Sequence, residues 1–278
     1  VTTTYGRGPA PLVLGAYLRA LRLARDLTLC DAAEVIGSSA AKLSRMETGQ
    51  VAQQWQDVKT LLRFYEVTHW FTIVGALRWS GQQSSAPKRR AGTIHDNAEG
   101  WADRLRACEH HASAICVYAS ATIPRIVQTT EYPAAQLPLL PSSTQPQDVT
   151  VILDGATLLR TFGNPQAMAA QMAHLQRLGV SPFGPRILVV PFQAGVIPPP
   201  GILHRFQLHG HEVFAEETRS ALYTTGADSQ AARRCMAAGL AAAKDPEASA
   251  ALLDVARRRF EQLAWHPESD PLLEELTA

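Results

Sequence analysis

The chain has 278 residues, 46% of them hydrophobic and 18% charged, and 26 Lys and Arg balance 25 Asp and Glu to a formal net charge of +1. That length carries one or two domains with ample material for a core. The near-neutral balance argues against a uniformly basic nucleic-acid binder, so any phosphate-binding charge must be local. The four cysteines, Cys30, Cys108, Cys116 and Cys235, form no CxxC pair. They read as buried thiols of a reduced, cytoplasmic protein, with no metal and no cofactor implied. No apolar run reaches about 18 residues, so no membrane span is expected, and "VTTTYGRGPAPL" has no signal pattern.

Residues 1 to 10 are small and polar. From Leu12 to Trp79 the pattern is densely helical. Leu14, Leu18, Leu21 and Leu23 recur at helical spacing and line a first helix. "LTLCDAAEVIG" reads as a second helix, with Thr28 as N-cap and Gly37 as its stop. "SSAAKLSRMETG" is a third, capped by Ser39 and stopped near Gly49. "WQDVKTLLRFYEV" is a fourth, turning Val58, Leu61, Leu62 and Tyr65 inward, and "THWFTIVGALRW" is a fifth.

"SGQQSSAPKRRAG" is rich in turn-forming and basic residues and reads as a linker or domain boundary; its Lys88, Arg89 and Arg90 read as a solvated hinge, with contact to phosphate as the alternative. Beyond it, "NAEGWADRLRACEHHASAICVYAS" predicts one long amphipathic helix. "PLLPSSTQPQ" is a loop and "DVTVILDG" an alternating strand. "NPQAMAAQMAHLQRLG" is a helix and "RILVVPF" an apolar strand. "ILHRFQLHG", "HEVFAEE" and "SALYTT" are short strands joined by turns such as "HGH". The remainder is helical with a break near Asp245-Pro246. The expected fold class is therefore a mainly α N-terminal domain of five helices followed by an α+β domain with a small, mostly antiparallel sheet. The expected division is residues 1–79, a linker over 80–95, an α+β domain over 96–266 and a tail over 267–278.

"VIGSSAAKLSRMETGQ" has the form of a helix-turn-helix. A recognition helix must present its first turn to the major groove while a preceding helix braces it. Ala32 and Ala33 allow close packing, Gly37 permits the turn, and Ile36 and Leu43 pin the two helices. Arg45 is expected to pair locally with Glu47. The expected DNA-contacting residues are Thr28, Ser39, Ala40, Ala41, Lys42, Ser44 and Arg45, with Arg22, Arg25 and Lys59 completing a basic face. Ala40 and Ala41 offer no hydrogen bond to a base edge and reach only a thymine methyl group.

The N-terminal stretch resembles the XRE, or Cro/repressor-like, helix-turn-helix domains. Ser44, Arg45, Glu47 and Gly49 stand on their "SR-[ILM]-E-x-G" core, and "DVKTLLRFYEV" is similar to the helix that follows it. "CEHHASAICVYASATIPRIVQTTEYPAA" resembles a signature of a large actinobacterial group of regulators. In that group a C-terminal sensor domain is often linked to antitoxin-like partners. Glu109, Ala112, Ile115, Tyr118, Pro124, Gln128, Thr129 and Tyr132 match it, and so do Gln171, Pro191, Gly195, Glu217, Thr218 and Tyr223 in later blocks. The sequence departs from the pattern at Arg125 and Gly155. It also has only "QLPLLPSSTQPQ" where the group carries a basic helix, and a lost helix would open a cavity.

The residues contain no phosphate-cradling glycine loop, GxSxG or HExxH. His209 and His211 would share one face if both lay on a strand, although a hairpin turn is the plainer reading. Glu109 falls on an apolar stripe with Ala112 and Ile115 and needs a buried partner, structural or functional. Trp101 and Phe206 are core aromatics or pocket walls. Glu109, Tyr118, Gln128, Tyr132, His204 and Glu217 are the candidate pocket residues. The resemblance implies a DNA-binding transcriptional regulator with a ligand- or partner-sensing C-terminal domain. Its partners would be double-stranded DNA, a small-molecule ligand or small partner protein, and a second copy in a homodimer. The alternative is an enzyme of specialised metabolism built on a regulator scaffold, doing acid–base or cyclisation chemistry in the C-terminal pocket. A further alternative is a partner-binding module using the proline loop "GVIPPPGIL".

Overall fold

A computed structural model describes residues 8–80, 92–132, 148–195, 199 and 201–266. Five helices come first: α1 (Pro9–Leu23), α2 (Leu29–Val35), α3 (Ala40–Glu47), α4 (Trp55–Phe64) and α5 (Trp70–Leu77). Pro9 starts α1, where its missing N–H costs nothing. Leu14, Leu18 and Leu43 are fully buried, as are Val58, Leu61, Leu62 and Tyr65. Leu23, expected inside, is 37% exposed because α1 has come to its last turn there. Gly15 marks the crossing of α1 and α3: a Cβ there would lie 2.5 Å from the Glu47 carbonyl oxygen.

The α+β region follows: β1 (Thr93–Asp96), α6 (Trp101–His111), β2 (Ala114–Ala119), β3 (Asp148–Asp154), α7 (Gly155–Leu159), α8 (Pro165–Val180), β4 (Arg186–Val190), β5 (Ile202–Leu208), β6 (His211–Glu217), β7 (Ala221–Thr224), α9 (Gln230–Ala242) and α10 (Pro246–Trp265). Among the described residues, seven strands form one mixed sheet in the order β1-β7-β6-β5-β2-β3-β4. β7 is antiparallel to β1 and to β6, with Tyr223 opposite Ile94 and Ala215. β3 and β4 run parallel, Leu153 beside Val189. His209 and Gly210, both at positive φ, turn β5 into β6 as a two-residue hairpin.

Two of these strands differ from the sequence reading. The single helix expected over "NAEGWADRLRACEHHASAICVYAS" stops at His111, and "AICVYA" is β2. Ile115 through Ala119 are all buried. A short apolar run buried on both faces has no alternation to distinguish it from a helix. β1 occupies Thr93–Asp96, within the stretch read as linker. Residues 81–91 of that stretch, with its "KRR", lie outside the described residues. So do the "LPLLPSSTQPQ" segment at 137–147, residues 196–198 and 200 of the proline loop, and the tail over 267–278.

The chain divides into two compact units. The first comprises residues 8–80, 92–115 and 204–233. It therefore joins the five N-terminal helices to α6, β1, β6 and β7, and α1 packs directly along α6. Trp79 meets Tyr223 edge-on at 5.8 Å. The second unit comprises residues 116–132, 149–195, 201–203 and 234–266. Its core is Leu153, Met172, Leu175, Val189, Leu253 and Phe260, built mainly where α8 packs on α10. Gly155 is required there, since a Cβ would lie 3.0 Å from the Phe192 amide nitrogen. Asp154 ahead of it caps α7 by accepting from the Ala156 amide at 2.9 Å.

Candidate nucleic-acid interface and a histidine–carboxylate cluster

Both helices of the α2–turn–α3 unit start on a capping side chain. Thr28 Oγ1 accepts from the Asp31 amide at 3.2 Å, and Asp31 accepts from the Thr28 amide at 2.8 Å, a reciprocal cap. Donation from the Thr28 hydroxyl and amide holds the Asp31 carboxyl below the usual range. Gly37 takes φ of 58°, which glycine alone adopts without strain. Ser39 caps α3 by accepting from the Lys42 amide at 3.2 Å.

α3 buries Leu43, Met46 and Glu47 and exposes Ala41, Lys42 and Arg45, with Ala40 and Ser44 half-buried. Arg45 folds back on its own helix, donating from Nε to the Ala41 carbonyl at 3.3 Å. It does not pair with Glu47 as expected. Glu47 instead takes a two-pronged bond from Arg22 at 2.7 and 2.8 Å, both side chains buried. Positions 45 and 47 lie about 200° apart around a helix, so an exposed Arg45 puts Glu47 inside. Arg22 is thus an interior residue and drops out of the basic face. Arg25 is half-buried, donating to the Leu21 carbonyl at 3.3 Å. Lys59 lies over the Trp55 ring at 5.3 Å. Lys42 Nζ approaches Asp57 at 3.6 Å, a partner not foreseen although an acid in the first turn of α4 was visible in "WQDV".

The six candidate pocket residues do not converge on one place. His204, Glu109 and Glu217 come together in the first unit. His204 Nε2 is 2.8 Å from Glu217 Oε2, and its Nδ1 is 3.7 Å from Glu109 Oε1. The His204 side chain is 1% exposed and stacks on Phe206 at 5.3 Å. Glu109 reaches His204 from the last turn of α6. The stripe expected to run on to Ile115 is broken, because the helix ends at His111.

The other three belong to the second unit. Tyr118 donates to Asp154 at a long 3.5 Å, and burial, then the Asp154 charge, push its hydroxyl well above the ordinary tyrosine range. Gln128 donates to the Ile123 carbonyl at 2.6 Å, and Tyr132 accepts from the Ile123 amide at 3.2 Å. Both bonds fix a chain turn around Ile123. Tyr118, Tyr132 and Phe206 are buried, and Trp101 is half-buried.

A second group of histidines was not foreseen as a group. His110 and His111 meet edge-on at 4.8 Å at the end of α6. His209 sits in the hairpin turn at φ of 49°, so it does not share a strand face with His211. Burial, then His110, Arg19, His209 and Arg22, push His111 down to about 3. A folded-state value this far below the unfolded one means that the unfolded chain takes up the proton first. The stabilising contribution is therefore complete above pH ~6.5 and is lost as pH falls from there toward about 3. Urea midpoints measured at pH 7.5 and pH 5 should show that His111→Phe loses less stability on acidification than the parent, by about 1–2 kcal/mol. Equal losses would refute this.

With this geometry in view, the first five helices define a helix-turn-helix domain. A family model described as a helix-turn-helix domain matches residues 13–69, which supports an XRE-like DNA-binding regulator. A second model, a domain of unknown function designated DUF5753, matches residues 138–255. No curated protein and no solved structure matches the chain. Among the described residues, no helix is long and apolar enough to cross a membrane.

Proposed function

We propose that this protein is a transcriptional regulator that reads double-stranded DNA as a homodimer through α3, and that its α+β region receives a ligand. The observation that carries this reading is the α2–turn–α3 unit itself. Both helix starts are capped by their own side chains, and α3 turns Ala41, Lys42 and Arg45 outward. An element held so firmly underneath and so bare on its outer face suits a groove-reading helix. Arg45 is the one long donor on that face able to fork onto a guanine edge. Lys42 suits a phosphate. Ala40 and Ala41 contribute apolar contact with a thymine methyl group. The packing of α1 along α6 supports a regulatory link, since α6 also carries Glu109.

Unbiased DNA selection at moderate salt tests this. The expected product is a two-fold symmetric motif. Arg45→Ala should cost about 1–3 kcal/mol and relax one position of the motif, while Lys42→Ala should weaken all sequences alike and flatten the salt dependence. Asp57→Asn should tighten binding about two- to fivefold, because it frees Lys42 from an ion pair worth less than about 1 kcal/mol. Absence of any enriched motif would overturn the reading.

A further inference from the structure

Where α8 ends and α10 begins, the second unit carries both a hole and a knob. The hole is a cavity of about 320 Å³ between the two helices and β4. Leu175, Gly179 and Val180 of α8, Ile187 of β4, and Ala250 and Leu253 of α10 give it apolar walls. Gly179 keeps it open. A Cβ there would meet nothing nearer than Ile187 Cγ1 at 3.7 Å, and the residue has no positive φ. Neither packing nor backbone requires a glycine there, and glycine weakens a helix.

The knob is Phe183, which is fully exposed. Residues 181–184 form a tight turn with Pro182 and Phe183 at its apex, closed by donation from the Gly184 amide to the Ser181 carbonyl at 2.9 Å. A Cβ on Gly184 would strike the Leu178 carbonyl oxygen, so the turn folds hard against the end of α8. Phe183 lies between Val180 and Ile187, both of which line the hole, and Val180 is itself 77% exposed. Turn apices are ordinarily polar. An apolar ring presented beside an apolar recess marks a contact surface.

Charge divides the same way. Exposed Arg177 and Arg186 flank the turn, while exposed Asp245 and Glu247 at the start of α10 stand against Lys244 alone. A two-fold rotation that sets the knob of each copy over the hole of the other also sets the basic edge over the acidic one. A small-molecule occupant fits less well. The volume is at the low end of the roughly 300–1,000 Å³ usual for ligand pockets. Only Gln176 and Glu247 of the lining have polar side chains, and Gln176 already donates to the Ala250 carbonyl at 3.4 Å.

We propose that this face is where two copies of the chain associate, with Phe183 of each copy seated in the α8–α10 recess of the other and Arg186 meeting Glu247 across the two-fold axis. This names the interface of the homodimer proposed above and rests on that reading.

Sedimentation velocity of the full-length protein over a concentration series reads the monomer–dimer equilibrium. The parent should dimerise. Phe183→Ser removes the knob and Gly179→Leu fills the hole, and each should weaken dimerisation by about tenfold or more. Mixing these two variants pairs an intact knob with an intact hole, so the mixture should form more dimer than either alone. Arg186→Glu and Glu247→Arg should each weaken the dimer, and both together in one chain should restore part of it. Circular dichroism checks that each variant is folded. If Gly179→Leu does not fold, Phe183→Ser and the charge exchange decide the matter. A monomeric parent, or a dimer that Phe183→Ser leaves unchanged, would overturn the proposal. So would a small molecule retained by a monomer in native mass spectrometry. The DNA selection is read separately: a symmetric motif with a dimer indifferent to these substitutions leaves the regulator standing and removes this interface, and a dimer lost on substitution without any motif does the reverse.

Discussion

Arg104→Met is expected to destabilise the protein by about 3–5 kcal/mol, read as a lowered urea midpoint. Arg104 is wholly buried, and its Nε and Nη2 donate to the two Asp96 oxygens at 2.8 and 2.9 Å. Nη2 also donates to the carbonyls of Ala98 and Glu99, each at 3.1 Å. The guanidinium lies over the rings of Tyr17 and Trp79 at 5.9 and 5.4 Å. One side chain thus ties β1 and α6 to α1 and the end of α5. Gly75 and Gly100 leave it space: a Cβ on either would lie 3.3 or 3.1 Å from a guanidinium nitrogen. Methionine fills much of the volume but strands the Asp96 charge, whose side chain is 0% exposed. That unpaired charge is the larger part of the cost. Adding Asp96→Asn to Arg104→Met should therefore recover part of the loss. A single-variant cost under about 1 kcal/mol would show that the pair is dispensable.

The second large effect is expected at Arg22. Arg22→Met leaves Glu47 buried without its two-pronged partner and should cost about 3–5 kcal/mol. Arg22 also donates to the Leu27 carbonyl at 2.7 Å, fixing the chain as it enters α2. Its loss therefore loosens α3 and the turn before it together, and DNA affinity should fall with stability. The double variant Arg22→Met with Glu47→Leu removes both charges and restores apolar packing. It should recover all but roughly 1–2 kcal/mol, the cost of leaving the Leu27 carbonyl unpaired. Chemical denaturation of the three proteins side by side decides this. A double variant no better than the single one would mean that the salt bridge itself, not the stranded charge, supports the fold.

Local chemistry made the helix-turn-helix legible. Thr28 and Ser39 are caps because their short hydroxyls reach an amide within the first turn, whatever surrounds them. Gly37 is a turn because only glycine enters the left-handed region cheaply. Val58, Leu61, Leu62 and Tyr65 point inward because helical spacing puts them on one face. The candidate site was legible only in part. His204, Glu109 and Glu217 stood among six residues with nothing in the spacing to separate them from Tyr118, Gln128 and Tyr132. They meet because β5, β6 and the end of α6 meet, and separations of 13 and 95 residues carry no period.

The amino-acid sequence by itself determined what short-range geometry can enforce: the caps, the hairpin at His209 and Gly210, the break at Asp245-Pro246, and the order of helices and most strands. The tertiary structure decided the rest. It made "AICVYA" a strand, because burial on both faces removes the alternation that would have marked it. It sent Arg22 inward to Glu47, away from the DNA face, because the contact of α1 with α3 leaves a buried carboxylate needing a cation. It placed Arg104 where four elements meet. Side chains whose partners lie far along the chain are assigned by packing, and packing is settled only when all the elements are in place.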